Sequence, residues 1–396
     1  MVPNLRFNEF SLPWHQMRII DLLSFQNGIN GTPEQYGKGI KYISVGDILN
    51  NDYITYDKIA GSIDINQETL KNYSVTYGDI LFQRSSEIKE DIGRTNVYLD
   101  KNHTATFGGF VIRGKKIGDY NPTFFNYLLK SPSSRQSIVR LGAGAQHYNI
   151  GQENIKTLNF YFPDEEEQQK IANLFSKIDE RIQTQIKIIN ALDSQRRCLF
   201  LKAHRAFSLK KVKIAELGRM VAVNNLSKDE LSIEGYDCIL YGELFTKYNL
   251  YVDNVVSKTE KMDNAIVSGG NELLFPTSTT VDAISLIKPV ALIKKGVILG
   301  GDMFSIKLKD SYNPIYISCL INFIYRRKFA SKTQGSTIIH LHYRDIKNEI
   351  IEICDYEVQC KIAHLIESIT EKIKVEEELL NLLYLQKSYL LQNMFI

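Results

Sequence analysis

Short polar loops follow two strand-like runs of the sequence, and their side chains are of types that bind nucleic acid. The first run continues as "FQRSSE" (82–87) and the second as "FPTSTT" (275–280). Another pair of loops, "GAQHYN" (144–149) and "GSTIIH" (335–340), begins at a glycine that permits a tight turn. Such side chains read base edges and hold phosphates. The candidate DNA-binding residues are Gln83, Arg84, Ser85, Ser86, Arg94, Gln146, His147, Tyr148, Thr277, Ser278, Thr279, Thr280, Ser336 and Thr337.

Composition alone leaves a second interpretation of these loops open. Ordinary solvent-exposed turns are rich in the same residue types. The formal net charge of +3 is mild and does not by itself indicate a nucleic-acid partner. The elements around the loops must therefore decide between the two interpretations.

Standard signatures of catalytic sites are absent from the sequence. It has neither a GxxxxGK[ST] phosphate loop nor a strand-GxGxxG-helix unit. "NPIY" at 313 resembles the Asn-Pro-Pro-Tyr element with which amino-group methyltransferases grip a flipped base. It lacks the second proline and has "NPTF" at 121 as its counterpart, so we interpret Asn-Pro as a helix start. We predict no catalytic residue in this chain.

Two other polar clusters have simple structural interpretations. The acids of "PDEEEQQK" (163–170) crowd a predicted helix N-terminus, where they complement the helix dipole. His340 and His342 form an i, i+2 pair, but no Cys or Asp cluster with ligand spacing lies near them in the sequence. We predict structural or polar histidines here and no metal site.

The bulk composition is that of a multidomain globular protein. A chain of 396 residues with 44% hydrophobic residues predicts two or three domains. The five cysteines are scattered without a CxxC pair, which favours a reducing cytoplasm. The first residues lack the apolar run of a signal peptide, and no window approaches the length of apolar sequence that spans a membrane. We expect a cytoplasmic protein that does not enter membranes.

The strongest pattern in the sequence is an internal repeat. "EEEQQKIANLFSKIDERI" (165–182) aligns without a gap to "YEVQCKIAHLIESITEKI" (356–373) at an offset of 191 residues. Gly144 matches Gly335 at the same offset, and the pair Gly108-Gly109 matches Gly300-Gly301 at 192. The chain therefore consists of two half-molecules in tandem.

Each half has a globular block followed by a helical tail. The blocks (1–163 and 206–354) alternate strand-like and helix-like runs, which predicts a compact α+β domain in each. The tails (164–205 and 355–396) contain neither Pro nor Gly and each predict one long helix, with Asp164 and Asp355 as N-caps and Glu167 at a capping-box spacing. Apolar residues at spacings of three and four form one stripe on each tail. They are Ile171, Phe175, Ile178, Ile182, Ile186 and Ile189 in the first tail, and Ile362, Ile366, Ile369, Ile373, Leu380 and Leu383 in the second.

A long helix with one apolar stripe needs a partner in water. We expect the two tails to form an antiparallel coiled coil, which gives two repeated α/β domains separated by two long helices with pseudo-two-fold symmetry. The alternative is two separate amphipathic helices, each packed on its own domain.

These motifs resemble the specificity subunit of type I restriction-modification enzymes. The resemblance is carried by "PNLRFNEFSLPW", "GDILFQR", "GAGAQHYNI" with "ENIKTLNFYFP", and above all "EEQQKIANLFSKIDERI", and it covers nearly the whole chain. The second half departs from the pattern, with "YEVQCKI" in place of Glu-Gln-Gln-Lys-Ile and "EIIEICD" in place of the proline-containing approach.

The resemblance implies a noncatalytic subunit whose two target-recognition domains each read one half of a split site in double-stranded DNA. It implies that the long helices dock two methyltransferase subunits, and that restriction subunits join the complex. S-adenosylmethionine, ATP and Mg would then be bound by those partners, with no cofactor on this chain. Two alternatives stay open: a coiled-coil adaptor whose blocks bind proteins without sequence-specific DNA binding, and a stand-alone enzyme, which the missing motifs disfavour.

Overall fold

The computed structural model describes residues 1–223, 226–261 and 265–396. The chain divides into two compact units, here called unit 1 (Met1–Lys187 with Glu378–Ile396) and unit 2 (Ile188–Glu377). Each unit contains one globular block and part of both long helices. The division into four parts at residues 163, 205 and 354 stays a prediction.

Unit 1 contains short strands and helices followed by the first long helix, α7, which continues into unit 2. Its strands are β1 (His15–Arg18), β2 (Leu23–Asn27), β3 (Tyr36–Ile43), β4 (Gly61–Ile63), β5 (Ile80–Gln83), β6 (Ser85–Ser86), β7 (Thr95–Val97), β8 (Thr106–Phe107), β9 (Val111–Lys116), β10 (Tyr148–Asn149) and β11 (Asn159–Phe162). Its α-helices are α1 (Ile19–Leu22), α2 (Val45–Leu49), α3 (Gln67–Asn72), α4 (Pro122–Lys130), α5 (Pro132–Val139), α6 (Gln152–Ile155) and α7 (Glu165–Arg205).

Unit 2 repeats this order, and its second long helix, α14, ends in unit 1. Its strands are β12 (Lys210–Lys213), β13 (Gly218–Ala222), β14 (Tyr236–Leu240), β15 (Ser257–Thr259), β16 (Ile266–Gly269), β17 (Glu272–Pro276), β18 (Ser278–Thr279), β19 (Val290–Leu292), β20 (Lys295–Gly300), β21 (Met303–Leu308), β22 (Ile339–His340) and β23 (Ile350–Ile353). Its α-helices are α8 (Ile214–Leu217), α9 (Tyr241–Thr246), α10 (Ala283–Leu286), α11 (Pro314–Leu320), α12 (Arg326–Ala330), α13 (Tyr343–Ile346) and α14 (Tyr356–Asn393).

The two blocks share one sheet topology, which confirms the repeat. The main sheet has the order β2-β9-β5-β7 in unit 1 and β13-β21-β17-β19 in unit 2, and all its neighbouring strands are antiparallel. A second sheet contains a parallel pair in both units, β3 with β8 and β14 with β20. The first strand pairs with the last in both blocks, β1 with β11 and β12 with β23. Each block is therefore an α+β domain of the same design.

Asparagine caps start the helices that pack on the main sheets. The side chain of Asn121 accepts hydrogen bonds from the amides of Thr123 and Phe124 at 3.0 Å, and Asn313 caps α11 by accepting from the amide of Tyr316 at 3.0 Å. Proline follows each asparagine at the first helical position. The interpretation of both Asn-Pro elements as helix starts is confirmed.

A buried glutamine connects each long helix to its block in the same way. Gln168 accepts from the backbone amide of Asn121 at 2.9 Å and donates to the carbonyl of Pro163 at 3.0 Å. Gln359 accepts from the amide of Asn313 at 2.9 Å and donates to the carbonyl of Cys354 at 2.8 Å. The glutamine shared by the two repeats thus fixes where each long helix leaves its block.

The start of α7 differs in one respect from the sequence prediction. The Asp164 side chain accepts from the backbone amide of Glu167 at 2.9 Å, as expected of an N-cap. The Glu167 carboxylate is buried and does not complete a capping box, because it accepts from Arg6 at 2.6 and 2.8 Å and from the Trp14 indole at 3.2 Å. Glu167 therefore fastens the N-terminal segment to the long helix.

The two long helices pack against each other in antiparallel order. In unit 1, Ile178 and Ile182 of α7 are buried with Leu383 of α14, and Ile186 and Leu380 pack against this cluster. In unit 2, the Arg196 side chain of α7 donates to the Thr370 hydroxyl of α14 at 3.0 Å. The predicted coiled coil is confirmed.

Parts of both stripes contact the blocks instead of the other helix. Ile171 and Phe175 lie in the core cluster of the unit 1 block, and the Phe175 ring stacks on Tyr127 of α4 with the ring centroids 4.9 Å apart. Ile362 and Ile366 lie in the core of the unit 2 block. Elsewhere on the stripes, Ile373 is buried and Ile189 and Ile369 are half-buried. The alternative of helices packed on their own domains is thus correct for the start of each helix.

A buried ionic cluster joins α4, α7 and α14 within unit 1. Asp179 accepts from the Tyr127 hydroxyl at 2.7 Å and pairs with Lys387 at 2.5 Å. Nearby, the Lys130 ammonium donates to the carbonyl oxygen of Asp52 at 2.7 Å. Burial is the main cause that lowers the pKa of Lys130, to about 8, and the positive charge of Lys387 adds to it. A neutral lysine is therefore accessible here in mildly alkaline solution.

This cluster predicts how stability depends on pH. The pKa of Lys130 is about 8 in the folded chain and 10.5 at its ordinary value, so between these values the unfolded chain binds more protons. The free energy of unfolding should then rise with pH in that window, by at most about 1.4 kcal/mol per pH unit. Thermal melts from pH 7.5 to 9.5, run on the wild type and on Lys130→Met, measure the effect. An equal slope in both proteins would contradict the assignment.

Within the described residues, no helix is both long enough and apolar enough to span a membrane.

Candidate nucleic-acid interface

Three loop segments that are distant in sequence lie side by side in unit 1. β10 pairs with β6, so that Tyr148 lies opposite Ser86 and Asn149 opposite Ser85. The Arg84 backbone lies between the other two segments: its amide donates to the Phe110 carbonyl at 2.9 Å, and its carbonyl accepts from the Ile150 amide at 3.0 Å. We call the segments 83–86, 108–110 and 144–149 together loop surface 1.

Unit 2 builds the same surface with the same hydrogen bonds. β22 pairs with β18, so that His340 lies opposite Ser278. The Thr277 amide donates to the Asp302 carbonyl at 2.8 Å, and the Thr277 carbonyl accepts from the Leu341 amide at 2.9 Å. We call the segments 277–280, 300–302 and 335–340 together loop surface 2. In each unit, the structure brings together the two loops that the sequence analysis named separately.

A glycine with positive φ makes the turn in each surface. Gly144 has φ of 135°, and a Cβ atom there would lie 2.0 Å from the carbonyl oxygen of His147. Gly335 has φ of 103°, and its Cβ would lie 2.1 Å from the carbonyl oxygen of Ile338. Both conformations exclude ordinary side chains, for reasons of backbone strain and of space. These glycines therefore set the position of the following loop residues.

The predicted residues of loop surface 1 differ in their access to solvent. Arg84, Gln146 and His147 are exposed, while Ser85, Ser86 and Tyr148 are half-buried. Gln83 is only 5% exposed, and its side-chain amide donates to the Ser85 carbonyl at 2.9 Å, so it supports the loop from inside. Burial does not favour a direct contact of the Gln83 side chain with DNA, and that role stays a prediction.

Loop surface 2 presents smaller polar side chains. Thr280, Ser336 and Thr337 are exposed, and Thr277, Ser278 and Thr279 are half-buried. The Ser278 hydroxyl donates to the Asp302 carboxylate at 3.4 Å, a long and weak bond. The exposed hydroxyls can donate to or accept from a base or a phosphate.

Local hydrogen bonds hold several polar groups of loop surface 1 in place. The Ser85 hydroxyl donates to the Asn149 side-chain oxygen at 2.6 Å, and one Arg84 guanidinium nitrogen donates to the Gly109 carbonyl at 3.3 Å. Arg94 is exposed and pairs with Asp91 at 2.5 Å. The Arg84 side chain is exposed, so its other guanidinium N–H groups can donate to an acceptor from solvent.

A half-buried arginine supports the loop after each surface. Arg135 of α5 donates to the carbonyls of Gly93 and Ile92, both at 2.8 Å. Burial lowers the pKa of Arg135 to about 10, so the guanidinium stays charged at neutral pH. At the matching position of unit 2, Arg326 donates to the carbonyl of Ile284 at 2.9 Å. Both arginines fix the connection between the loop surface and the next strand of the main sheet.

Three residues of these surfaces were not among those predicted from the sequence. Gly108-Gly109 and Gly300-Gly301 were matched, but Phe110 and Asp302, which follow these pairs, were not placed at the site. Asn149 was also left out, although it lies within a quoted loop and its side chain accepts from Ser85. The matched glycine pairs were the available signal, because glycines repeated in two loops indicate a shared backbone conformation.

The histidine pair of unit 2 lies at the edge of loop surface 2. The rings of His340 and His342 stack with their centroids 6.2 Å apart. In the part of the chain that the structure describes, no three His, Cys, Asp or Glu side chains are grouped as metal ligands would be. The pair is thus two stacked, exposed rings beside a strand pair.

A family model described as "Type I restriction modification DNA specificity domain" matches residues 13–194 and again residues 209–384. The chain belongs to this family. The two matches correspond to the two halves of the repeat, and each contains one of the loop surfaces. The chain is therefore a type I restriction-modification specificity protein with two DNA specificity domains.

Curated relatives carry the same family name. The chain is 28% identical over 239 residues to a putative type I restriction enzyme MjaX specificity subunit of Methanocaldococcus jannaschii, a match that covers 58% of this chain and 54% of that protein. It is 24% identical over 210 residues to the type I restriction enzyme HindI specificity subunit of Haemophilus influenzae, covering 49% and 44%. The chain thus spans about half the length of the curated relatives that it matches.

Solved structures share the fold along the whole chain. A type I restriction-modification S subunit from M. genitalium superimposes with a TM-score of 0.58 at 16% identity, covering 100% of this chain and 99% of that one. A chain from a study of complex assembly and conformational transition of the type I R-M system gives a TM-score of 0.59 at 10% identity, covering 97% and 98%. At these identities the likeness shows the fold alone.

Proposed function

We propose that this chain is the noncatalytic subunit that gives a type I restriction-modification complex its DNA sequence specificity. Loop surface 1 reads one half of a split DNA site, and loop surface 2 reads the other half. The observation that carries the proposal is the repeated three-segment surface, which has the same backbone hydrogen bonds in both units and different side chains. A shared frame with different side chains suits two readers of different sequences.

Side-chain chemistry supports direct contact with base edges. The guanidinium of Arg84 has the donor geometry that suits a guanine edge in the major groove, and the hydroxyls of loop surface 2 suit several bases. Each good contact contributes about 1–3 kcal/mol of discrimination. Two half-sites read by one chain multiply their selectivity, because binding at one raises the effective concentration at the other.

Partner subunits have a role in this proposal that follows from charge. With a net charge of +3, the chain has few lysine and arginine side chains in excess of its acids to bind phosphates. Phosphate contacts provide most of the affinity of proteins for DNA. We propose that two methyltransferase subunits provide them, together with S-adenosylmethionine and the methyl-transfer chemistry. Restriction subunits with ATP and Mg would join the same complex.

An exposed apolar stripe on α14 is the proposed docking site for a methyltransferase subunit. Leu382, Leu385 and Tyr389 are 61%, 66% and 60% exposed. Their spacing of three and four residues places them on one face of the helix, a different face from that of Leu383, which packs against α7. Large apolar side chains arranged on one helical face indicate a protein partner.

This stripe gives a direct prediction. The double variant Leu385→Glu/Tyr389→Glu places two charges in the proposed contact and should weaken binding of the methyltransferase subunit by at least about 30-fold, the effect of removing an interface hot spot. Tyr384→Glu adds a charge to the same helix outside the stripe, because Tyr384 is two residues after Leu382 and one before Leu385, and it should bind normally. Calorimetric titration of the two proteins measures the difference. Equal affinities for both variants would exclude this docking face.

A gel shift tests the proposed function as a whole. The chain is mixed with purified methyltransferase subunits and with DNA that carries both half-sites, one half-site or neither. We expect a shift that requires both half-sites and is lost when either is scrambled. A complex that forms without any sequence-selective shift would instead support the coiled-coil adaptor, and methyl transfer by this chain alone would show that it is an enzyme.

A further inference from the structure

One position differs sharply in chemistry between the two loop surfaces. Phe110 and Asp302 both follow the matched glycine pair, and the carbonyl of each accepts from the first residue of the neighbouring loop, at 2.9 Å in unit 1 and 2.8 Å in unit 2. The backbone is thus the same, but one surface carries a phenyl ring where the other carries a carboxylate. A residue needed only for folding would not be expected to change from apolar to charged.

The Phe110 side chain is largely exposed to solvent, unlike the phenylalanines in the core of its block. It is 66% exposed, and Ile88, which follows the 82–87 loop, is 57% exposed. Phe110 lies next to Arg84 through the amide-to-carbonyl bond, and Ile88 follows Arg84 by four residues in the chain. An exposed ring beside an exposed arginine is an arrangement that fits a thymine methyl next to an acceptor edge.

Asp302 occupies the position in unit 2 that Phe110 occupies in unit 1, and its neighbouring side chains are different. It is exposed, and its carboxylate accepts only a long 3.4 Å bond from Ser278 among the contacts described. Most of its acceptor capacity is therefore directed to solvent. Val281, the counterpart of Ile88 at the offset of 193, is 73% exposed, so an exposed apolar residue follows the polar loop in both units.

We propose that Phe110 and Asp302 are specificity-determining residues that contact one base each in the two half-sites. Phe110 packs against the C5-methyl group of a thymine, and Asp302 accepts a hydrogen bond from the N4 amino group of a cytosine in the major groove. The assignment rests on the proposed function, since it requires both loop surfaces to face DNA.

Methylation of a DNA library tests this assignment in the assembled complex. The chain with its methyltransferase subunits is given duplexes whose half-sites are randomised, and the methylated sequences are counted. Phe110→Asp should lower the preference for thymine at one position of one half-site by about fivefold to tenfold, the size of a single base contact. Asp302→Phe should do the same for cytosine at one position of the other half-site. Each variant should leave the opposite half-site unchanged.

Matched controls lie at the far ends of the same strands. Ile117 follows β9, is 58% exposed and can be replaced by Asp; Asp310 follows β21, is exposed and can be replaced by Phe. Both controls should methylate the wild-type sequences. Phe110→Leu keeps an apolar contact and should retain the thymine preference, whereas Phe110→Ala should relax it even if the aspartate variant assembles poorly.

The outcomes separate this inference from the function on which it rests. A wild-type complex that selects two half-sites, together with Phe110→Ala and Asp302→Phe variants whose base preferences are unchanged, would overturn the inference alone. A wild-type complex that selects no sequence would overturn the proposed function. A change confined to one position of one half-site in each variant would support both.

Discussion

Replacing Gly144 with Val should abolish recognition of one half-site while the other is still read. The positive φ of 135° is strained for a β-branched residue, at about 1–3 kcal/mol, and the added Cβ would overlap the His147 carbonyl oxygen at 2.0 Å. The loop must move away from β6, which also breaks the bond between Ser85 and Asn149. Methylation of the complete site should fall at least about 100-fold, because several base contacts are lost together.

Another glycine of the same segment provides the control for this prediction. Gly151 has φ of −100° and nothing within 4 Å of its Cβ position, so Gly151→Val should methylate normally. In unit 2, Gly335→Val is the corresponding test variant. Gly242→Val is its control, because nothing lies within 4 Å of the Cβ position of Gly242. Methylation kinetics with one half-site varied at a time distinguish the two surfaces. Wild-type rates for Gly144→Val would show that loop surface 1 is not a reader.

Lengthening both long helices by one heptad should change the distance between the half-sites and leave their sequences intact. The insertion points are Lys187/Ile188 in α7 and Glu377/Glu378 in α14, where both helices pass from one unit to the other. Seven helical residues add about 10 Å, which corresponds to about three base pairs of DNA. We therefore expect about three more unread base pairs between the half-sites.

The contacts between the helices explain why both must be lengthened. Asp179 pairs with Lys387 on one side of the insertion, and Arg196 bonds to Thr370 on the other. These pairs occupy matching positions of the repeat, because Asp179 corresponds to Thr370 and Lys387 to Arg196 at the offset of 191. A heptad in α7 alone would shift one pair out of register and should destabilise the chain. An unchanged spacer after the double insertion, read by methylation sequencing, would refute the role of the helices.

Much of the fold was predictable from sequence because it repeats. The offset of 191 residues between Gly144 and Gly335 already indicated two equal turns, and the helical stripes indicated a partnered pair of helices. The two polar loops quoted for each unit lie side by side in the structure, while their role in DNA binding stays a prediction. Features that occur in both halves of the repeat, such as these turns and helices, were therefore predictable from the sequence.

Contacts between distant segments were not predictable in this way. Glu167 has a capping-box spacing, yet its carboxylate binds Arg6 and Trp14 from the N-terminal segment. Gln83 has the chemistry of a base reader, yet it completes a fully buried strand. Phe110 lies beside Arg84 only because β9 and β5 are neighbours in the main sheet. Local spacing in the sequence does not determine which strands become neighbours, so these contacts follow only from the tertiary structure.

Mapping DNA methylation at single-molecule resolution, in cells with and without this chain, tests the central claim most directly. We expect adenine methylation at a sequence of two short defined parts separated by undefined base pairs, present only when the chain is expressed. Introducing Gly144→Val should remove one defined part from the requirement or abolish methylation at the site, while Gly151→Val leaves it unchanged. A methylated sequence that is continuous, or that is the same without the chain, would contradict the claim that the two loop surfaces read two half-sites.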